Sequence, residues 1–310
     1  MPNYFSSAGV IDRSTYPDLL NKAIDVVWTA RNQIAGNVLG QFFDTDTKDS
    51  GLSHVISYVT SHLPLPVENE DTDALPYFTP APGYDKTITL INYRSGIRVT
   101  DTMVRADRFD KIMAMTKGQI VSAARLDEYL RAAIFNNAFT GTAGADSLSL
   151  ANDSHPCENT EAGTWDNSGT GALSGPNLQA LRLLMRKAVD AQGDPDWVNP
   201  MALLVPEDLE QKALELTGAS DKPEGMLNDP NVLIRSLKVV VSPYLSSALY
   251  YYLIGDKQGY EKGLHEVVLE DWNLKENTPQ NADIVLDKRI KAIKAFDFTV
   301  SRNVYASTGA

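Results

Sequence analysis

Aspartates and histidines occur at a few spacings that could support metal binding or acid–base catalysis. The segment Asp44-Thr-Asp46-Thr-Lys48-Asp49 begins like a calcium-binding loop, in which alternate oxygen ligands surround the ion. However, Lys48 stands at the third ligand position, and Asp49 stands where the loop requires glycine. Val55 then occupies the final position, where such loops carry a bidentate glutamate. We therefore interpret the segment as a solvated acidic turn.

His155 and Cys157, separated by one proline, could in principle bind zinc or form a base and nucleophile. A second pair of ligands at suitable spacing is missing from the sequence, and the proline holds the imidazole away from the thiol. The segment is therefore interpreted as an ordinary loop, and no catalytic, cofactor-binding or metal-binding residue is predicted. The other histidines are scattered along the chain: His54, His62 and His265.

A cationic run at Lys288-Arg-Ile-Lys291-Ala-Ile-Lys294 and three tyrosines at 250–252 could serve nucleic-acid binding. Lysines contact phosphates, and tyrosine rings stack on bases. The apolar residues around both segments favour other interpretations: a strand face that is solvated or meets an acidic segment of another copy, and tyrosines that pack in a core. Glycine-rich phosphate loops, dinucleotide turns and the Gly-x-Ser-x-Gly hydrolase motif do not occur in the sequence.

The composition is that of a soluble, acidic, two-domain chain. Its 310 residues are 43% hydrophobic, which is ample for a sizeable core. With 28 Lys and Arg against 40 Asp and Glu, the formal charge is −12, which disfavours broad binding to phosphate backbones. The single cysteine excludes an intrachain disulfide and favours a reducing compartment. Because neither a signal peptide nor a membrane-spanning run is apparent, a cytoplasmic protein with no membrane partner is expected.

The first hundred residues predict a helix followed by a hairpin. Apolar residues at three- and four-residue spacing predict a helix over 17–43, weakened near its end by Gly36 and Gly40. Alternating patterns over 55–62 and 87–93 then predict two strands. The segment between them is acidic and contains five prolines, so we expect a long hairpin with an irregular tip. Since an isolated ribbon is marginally stable, this hairpin is expected to pack on a neighbouring subunit.

The rest of the chain alternates between helices and strands. A long helix is predicted over 107–139, with a bend at Gly118, followed by a polar loop over 140–175. A second helix begins near Pro176 and is stopped by Gly193. The remaining predicted elements are a strand at 201–205, a helix at 206–217, strands at 237–241 and 249–254, and return strands at 264–274, 284–286 and 290–300.

Several short motifs occur in an order that resembles the major capsid proteins of tailed bacteriophages, which have the Hong-Kong-97-type fold. Each motif is weak alone, but their order over 145–255 is fairly specific. The motifs are Leu148-Ser-Leu150 with Ser154-His-Pro156, Asn167-Ser-Gly leading into Ala172-Leu-Ser174, Leu203-Leu-Val-Pro206 with Leu209-Glu and Ala213, and Val239-Val-Val-Ser-Pro243-Tyr-Leu leading into Tyr251-Tyr-Leu253.

The resemblance implies an α+β fold in five segments. They are an N-terminal arm and helix at 1–50, an extended hairpin loop at 51–100, a peripheral domain with a long spine helix at 101–172, an axial α/β domain at 173–261, and return strands of the peripheral domain at 262–310. The implied function is structural, not enzymatic: self-assembly into the pentamers and hexamers of an icosahedral phage head enclosing double-stranded DNA.

The resemblance also implies partners. These are other copies of the chain, a separate scaffolding protein, a portal, a possible decoration protein, and packaged DNA bound without specificity. Such a protein is assembled in the host cytoplasm and ends in the virion capsid. Two alternatives remain open at this point: an encapsulin-type compartment shell with the same fold, and a soluble α/β enzyme, which would need a nucleophile–base pair.

Overall fold

The computed structural model describes residues 24–25, 37–59, 82–106, 109–141, 143–157, 163–190, 193–196, 198–218, 237–257, 263–276, 284–299 and 302–310. The chain divides into two units. The smaller unit contains Met1–Asn37, Ile91–Asp127 and Leu269–Lys294. The larger unit contains Val38–Leu90, Glu128–Val268 and Ala295–Ala310.

Helices and strands are numbered separately in chain order. The helices are α1 (Asp101–Arg105), α2 (Phe109–Asn136), α3 (Gly175–Arg186) and α4 (Glu210–Gly218), with 3₁₀ turns at Gly40–Phe42 and Glu207–Leu209. The strands are β1 (Asp44–Thr47), β2 (Ser53–Val59), β3 (Pro82–Thr89), β4 (Ile91–Thr100), β5 (His155–Pro156), β6 (Thr164–Trp165), β7 (Ser168–Gly169), β8 (Val198–Val205), β9 (Lys238–Val241), β10 (Tyr251–Lys257), β11 (Leu264–Glu276), β12 (Ile284–Phe298) and β13 (Val304–Ser307).

The larger unit is built on a five-stranded mixed sheet in the order β7-β13-β10-β8-β9. Strand β10 runs antiparallel to β8 and β13, whereas β8 and β9 are parallel. A parallel pair needs a crossover connection, and the 3₁₀ turn and α4 lie in the crossover from β8 to β9. The sheet therefore contains one βαβ unit, to which β10 adds antiparallel, followed by β13 antiparallel to β10 and by β7 parallel to β13.

Both faces of this sheet are buried, and the side chains of each strand alternate between two cores. On one face, Leu204 and Tyr252 are paired neighbours and belong to the core that includes Phe42, Phe135 and Leu150. On the other face, Leu203 and Leu253 are paired and lie in a second core. Strands buried on both faces read as continuous apolar runs, which is the pattern seen at 201–205 and 251–254.

Helices α3 and α4 cover the second face. Helix α3 begins at Ser174, whose hydroxyl accepts a hydrogen bond from the Asn177 amide at 3.4 Å, and Pro176 lies in its first turn. Its buried residues recur at three- and four-residue spacing and face the sheet: Leu178, Leu181 and Met185. The sequence predicted the start of this helix and its apolar face, but the helix ends at Arg186, before the expected stop at Gly193.

A second sheet has the order β1-β11-β12-β4. In the smaller unit, β4 pairs antiparallel with β12 from Ile91 opposite Lys294 to Thr100 opposite Ile284. Its inward residues join helical residues in a small core: Ile24, Ile97, Val99, Ile112 and Leu286. In the larger unit, β1 pairs in parallel with β11 over residues 265–268.

Helix α2 confirms the predicted long helix, with ends that differ by a few residues. It runs without interruption through Gly118, where a bend was expected. No helix among the described residues is long and apolar enough to span a membrane. The strands predicted at 201–205, 237–241, 249–254 and 264–274 are also present as β8 to β11.

The prediction of a helix over 17–43 was wrong at its end and otherwise lies mostly outside the described residues. Ile24 and Asp25 are helical, but residues 37–43 form a bend and a 3₁₀ turn before β1. The amide of Leu39 donates to the Glu128 carboxylate at 3.1 Å, a contact between residues that are distant in sequence. Gly40 also lowers the helix propensity there.

The predicted hairpin strands are present as the antiparallel pair β2–β3. Inward side chains Ile56 and Ile88 are buried, whereas Val55 and Thr87 on the opposite face are exposed. The inward face of the described hairpin base is thus buried by other residues of the same chain. This face does not need a neighbouring subunit to cover it. The acidic, proline-rich tip over 60–81 lies outside the described residues.

Replacing Gly118 by alanine should stabilise the subunit. Gly118 is exposed within α2, and a methyl group added there meets no atom within 4 Å. Alanine restricts the unfolded chain and has the higher helix propensity, so we expect a gain of about 0.5–1 kcal/mol in the free energy of unfolding, measured by urea denaturation of the unassembled subunit.

Gly255→Ala is the matched control. Its added methyl would lie 2.5 Å from Cγ1 of Val198 and 3.2 Å from the Asn199 carbonyl oxygen, so this variant should be destabilised. A Gly118→Ala variant that is less stable than the wild type would contradict the helical, open environment of Gly118.

Candidate functional site

The acidic segment at 44–49 is a strand rather than a cation-binding loop. Residues Asp44 to Thr47 form β1, an edge strand paired with β11. The Asp46 carboxylate lies 3.1 Å from Nδ1 of the buried His265. An extended strand points successive side chains to opposite faces, so Asp44 and Asp46 cannot wrap around one ion together with Thr45.

His155 forms a buried pair with an aspartate that the sequence analysis did not connect to it. Its Nδ1 lies 2.5 Å from Oδ2 of Asp146, and its ring stacks on Trp165 with centroids 4.5 Å apart. Each side chain of the pair is only 2% exposed, and Cys157 is buried as well. Substrates therefore cannot reach this imidazole or this thiol, and the pair fixes the 143–157 segment instead.

Within the ranges that the structure describes, no three His, Cys, Asp or Glu side chains are grouped so that they could hold a metal ion. Asp46 is paired with His265, and Asp146 with His155.

The cationic run at 288–294 is a strand whose lysines are occupied by carboxylates of the same unit. Lys288 and Lys294 are almost completely buried, while Arg289 is exposed. These lysines are not free to contact phosphates, which weakens the nucleic-acid interpretation. The ion pairs are Lys288 with Asp25 at 2.8 Å, Lys291 with Glu270 at 2.7 Å, and Lys294 with Asp127 at 2.9 Å.

Glu270 is the carboxylate most strongly affected by these cations. Hydrogen bonds from Lys275, Lys291 and Asn273 lower the pKa of Glu270 to about 2. These hydrogen bonds keep Glu270 in its charged form. The ion pair between Glu270 of β11 and Lys291 of β12 therefore stabilises this part of the sheet.

The three tyrosines pack within the core, as the sequence pattern favoured. Tyr251 donates to the Gly171 carbonyl at 3.0 Å, and Tyr252 donates to the Phe135 carbonyl at 2.8 Å. Burial raises the pKa of both phenols. Their rings are therefore unavailable for stacking on bases.

A buried ionic cluster anchors the segment that precedes the hairpin. Arg131 on α2 bonds Glu128 at 2.8 Å and Glu266 of β11 at 2.7 Å. The second oxygen of Glu128 accepts the Leu39 amide at 3.1 Å. All three charged side chains are at most 10% exposed, so the arginine compensates two carboxylates that water cannot reach. The pairing of Glu128 with Arg131 could be predicted from their three-residue spacing on a helix. The contact of Arg131 with Glu266, which is distant in sequence, could not be predicted.

Lys86 fixes the base of the hairpin. Its ammonium group lies 3.4 Å from Asp297, contacts the Ala143 carbonyl oxygen, and lies 5.8 Å from the centre of the Phe298 ring. Away from this anchor, Leu52 beside the start of β2 is 59% exposed, and Val55 on the outer face of β2 is 53% exposed. The candidate site is therefore a surface: an anchored hairpin with an exposed outer face, whose two strands pair with no third strand among the described residues.

The fold is that of phage capsid proteins. The asymmetric unit of the mature capsid of bacteriophage PhiM1 matches with a TM-score of 0.55 at 9% identity, covering 88% of this chain and 86% of that one. The capsid of cyanophage P-SCSP1u matches with a TM-score of 0.54 at 10% identity, covering 88% of both chains. A Microbacterium phage Oxtober96 structure matches with a TM-score of 0.51 at 12% identity, covering 88% and 91%.

The chain thus has the Hong-Kong-97-type fold predicted from its motifs, in the α+β class. The model of the phage capsid protein family matches residues 83–304, most of the chain, so the protein belongs to that family. No curated protein sequence is a significant match. The family consists of structural proteins and not enzymes.

Removing the arginine of the buried cluster should be severely destabilising. Arg131→Met keeps the length and apolar part of the side chain but leaves the Glu128 and Glu266 carboxylates buried without a cation. Breaking such a cluster from one side costs about 3–5 kcal/mol, measurable as a loss in the free energy of unfolding of the unassembled subunit.

Arg105→Met provides the comparison, because Arg105 pairs with Asp101 on the surface of α1 at 2.6 Å and is 65% exposed. This change should cost at most about 0.5 kcal/mol. Equal effects of the two substitutions would show that the buried cluster contributes no more than a surface pair.

Proposed function

We propose that the protein is the major capsid protein of a tailed phage, which self-assembles into the pentamers and hexamers of an icosahedral head enclosing double-stranded DNA. The family match over 83–304 carries this proposal. The capsid fold, which covers 88% of the chain in the comparisons with PhiM1 and P-SCSP1u, supports it.

In this proposal the five segments have separate roles. Residues 1–50 are the arm, 51–100 the extended hairpin, 101–172 and 262–310 the peripheral domain with α2 as its spine helix, and 173–261 the axial domain. The hairpin lies on a neighbouring subunit and interlocks the lattice. Support comes from its exposed outer face and from its two strands, which pair with each other and join neither sheet of the described structure.

The charge of the chain suits a container for DNA. A formal charge of −12 disfavours tight binding of the protein to phosphates. Packaged DNA would therefore be enclosed without binding tightly to the inner surface of the capsid. The engaged lysines of the 288–294 run are consistent with this. A separate scaffolding protein, a portal and a decoration protein are the further partners, with assembly in the host cytoplasm.

The experiment that tests the proposal is assembly of the expressed protein, alone and with the scaffolding protein encoded beside it, followed by cryo-electron microscopy. Closed icosahedral particles with five- and six-membered capsomers are expected. Monomers under all conditions would refute the proposal. Particles that enclose a protein cargo in place of DNA in the native host would indicate an encapsulin-type compartment instead.

A second prediction concerns two exposed apolar residues of the hairpin, Val55 on its outer face and Leu52 beside the start of β2. The double substitution Leu52→Asp and Val55→Asp should abolish particle formation, because contact with a neighbour would bury two unpaired carboxylates at a cost of several kcal/mol. The free subunit should remain folded, since surface changes of this kind usually alter stability by about 0.5 kcal/mol or less.

The control is Leu52→Ile with Val55→Ile, which keeps the surface apolar and should assemble like the wild type. Sedimentation velocity measures the assembled fraction, and circular dichroism reports the fold. Wild-type particle yields from the aspartate variant would place the hairpin face outside the contacts of the shell.

A further inference from the structure

Helices α3 and α4 lie side by side on the same face of the five-stranded sheet. Helix α3 packs on β13, β10 and β8, whereas α4 packs on β8 and the edge strand β9. Both contribute to one apolar core, α3 through Leu181 and Met185 and α4 through Ala213 and Leu216. Their outward surfaces are therefore neighbouring parts of one face of the larger unit.

The outward surface of α3 is cationic. From Leu173 to Val189 the chain contains no aspartate or glutamate, while it has three cations: Arg182, Arg186 in the last turn of the helix, and Lys187 just beyond it. Leu183 is 54% exposed, and Arg186 and Lys187 follow it by three and four residues, so the three side chains share one face of the helix. We call Arg182, Leu183, Arg186 and Lys187 the basic patch.

The outward surface of α4 and its preceding turn is acidic. Between Glu207 and Gly218 the chain has four carboxylates and one lysine, and all four carboxylates are exposed. Leu214 is 51% exposed and lies one turn after Glu210. We call Glu207, Asp208, Glu210, Leu214 and Glu215 the acidic patch.

The charges of the two patches are not compensated within the described part of the chain. The described residues provide no ion pair for Arg186 or Lys187, nor for the carboxylates of the acidic patch. Within the basic patch, partial burial and the charge of Arg186 lower the pKa of Arg182. Like charges four residues apart repel one another, so a carboxylate from outside would be favourable there.

We propose that the basic patch of one copy binds the acidic patch of the next copy, with Leu183 and Leu214 forming the apolar centre of the contact. The inference rests on the proposed function and specifies one interface of the assembly. In the pentamers and hexamers of the proposed function, the α3 surface of each copy would meet the α4 surface of the next copy around the ring. Such a contact is heterologous, and it forms a closed ring when the rotation from copy to copy closes.

Charge reversal tests this contact with three variants. The α3-reversed variant carries Arg186→Glu and Lys187→Glu, and the α4-reversed variant carries Glu207→Lys and Glu210→Lys. Each alone brings like charges together between copies, so its assembled fraction should fall about tenfold or more. The doubly reversed variant carries all four changes. It has the same net charge as the wild type and opposite charges at the contact, so assembly should recover.

Mixing the two singly reversed variants tests whether the contact lies between copies. An alternating ring places the acidic α3 of one variant against the basic α4 of the other, so the mixture should assemble although neither component does. A five-membered ring cannot alternate without one mismatched contact, and six-membered rings should therefore predominate. Electron microscopy and sedimentation velocity measure these outcomes.

Folding is checked by circular dichroism and thermal unfolding of the unassembled subunits, which exposed substitutions should leave nearly unchanged. If a double substitution fails to fold, Lys187→Glu and Glu210→Lys provide the same comparison singly. Wild-type assembly by either singly reversed variant overturns the inference, as does a folded doubly reversed variant or a mixture that stays unassembled. Failure of the wild-type protein to form particles would instead refute the proposed function.

Discussion

The central constraint on the larger unit is that its five-stranded sheet must be covered on both faces. Strand β8 shows this most clearly, because its four consecutive residues from Ala202 to Val205 are fully buried and alternate between the two cores. A strand with this pattern cannot lie at a protein surface. The helices on one face, and the 39–43 segment with the end of α2 on the other, follow from this requirement.

Covering the sheet brings distant parts of the chain together, and polar groups fix their positions. The Asn167 side chain donates to the carbonyl oxygens of Leu150 and Val304 and accepts the Asn152 amide, with distances from 2.8 to 3.0 Å. It is completely buried, so each bond satisfies a backbone group that water cannot reach. The Arg131 cluster acts similarly for the segment before the hairpin. Burial of apolar residues thus determines which layers pack together, while these polar contacts fix the positions of the loops.

Local patterns predicted the elements that carry a strong signal of their own. The apolar run at 201–205, the capped start of α3 and the three- and four-residue periodicity of α2 identified those elements close to their observed positions. Motif order then indicated the fold, because most of the motifs lie on β7 to β10 and at the start of α3. At residues 38–43, the end of the helix predicted over 17–43, the local pattern predicted the wrong structure. Contacts with residues distant in sequence determine the conformation there. The Leu39 amide bonds Glu128, which lies 89 residues further along the chain.

The side chains that could take part in binding or catalysis were harder to interpret, because their partners are distant in sequence. Lys294 looks like one cation of a basic run, yet its ammonium group is held by Asp127, 167 residues away. His155 looks like an isolated loop histidine, yet Asp146 and Trp165 enclose it. Charged side chains that are paired within the chain contribute to folding and are not available to bind another molecule. Helices α3 and α4 bury their apolar faces against the sheet and carry charges on their outward surfaces. In the contact proposed between copies, the two tasks are separate: the sheet stabilises each subunit, and the outward charges select the orientation in which copies meet.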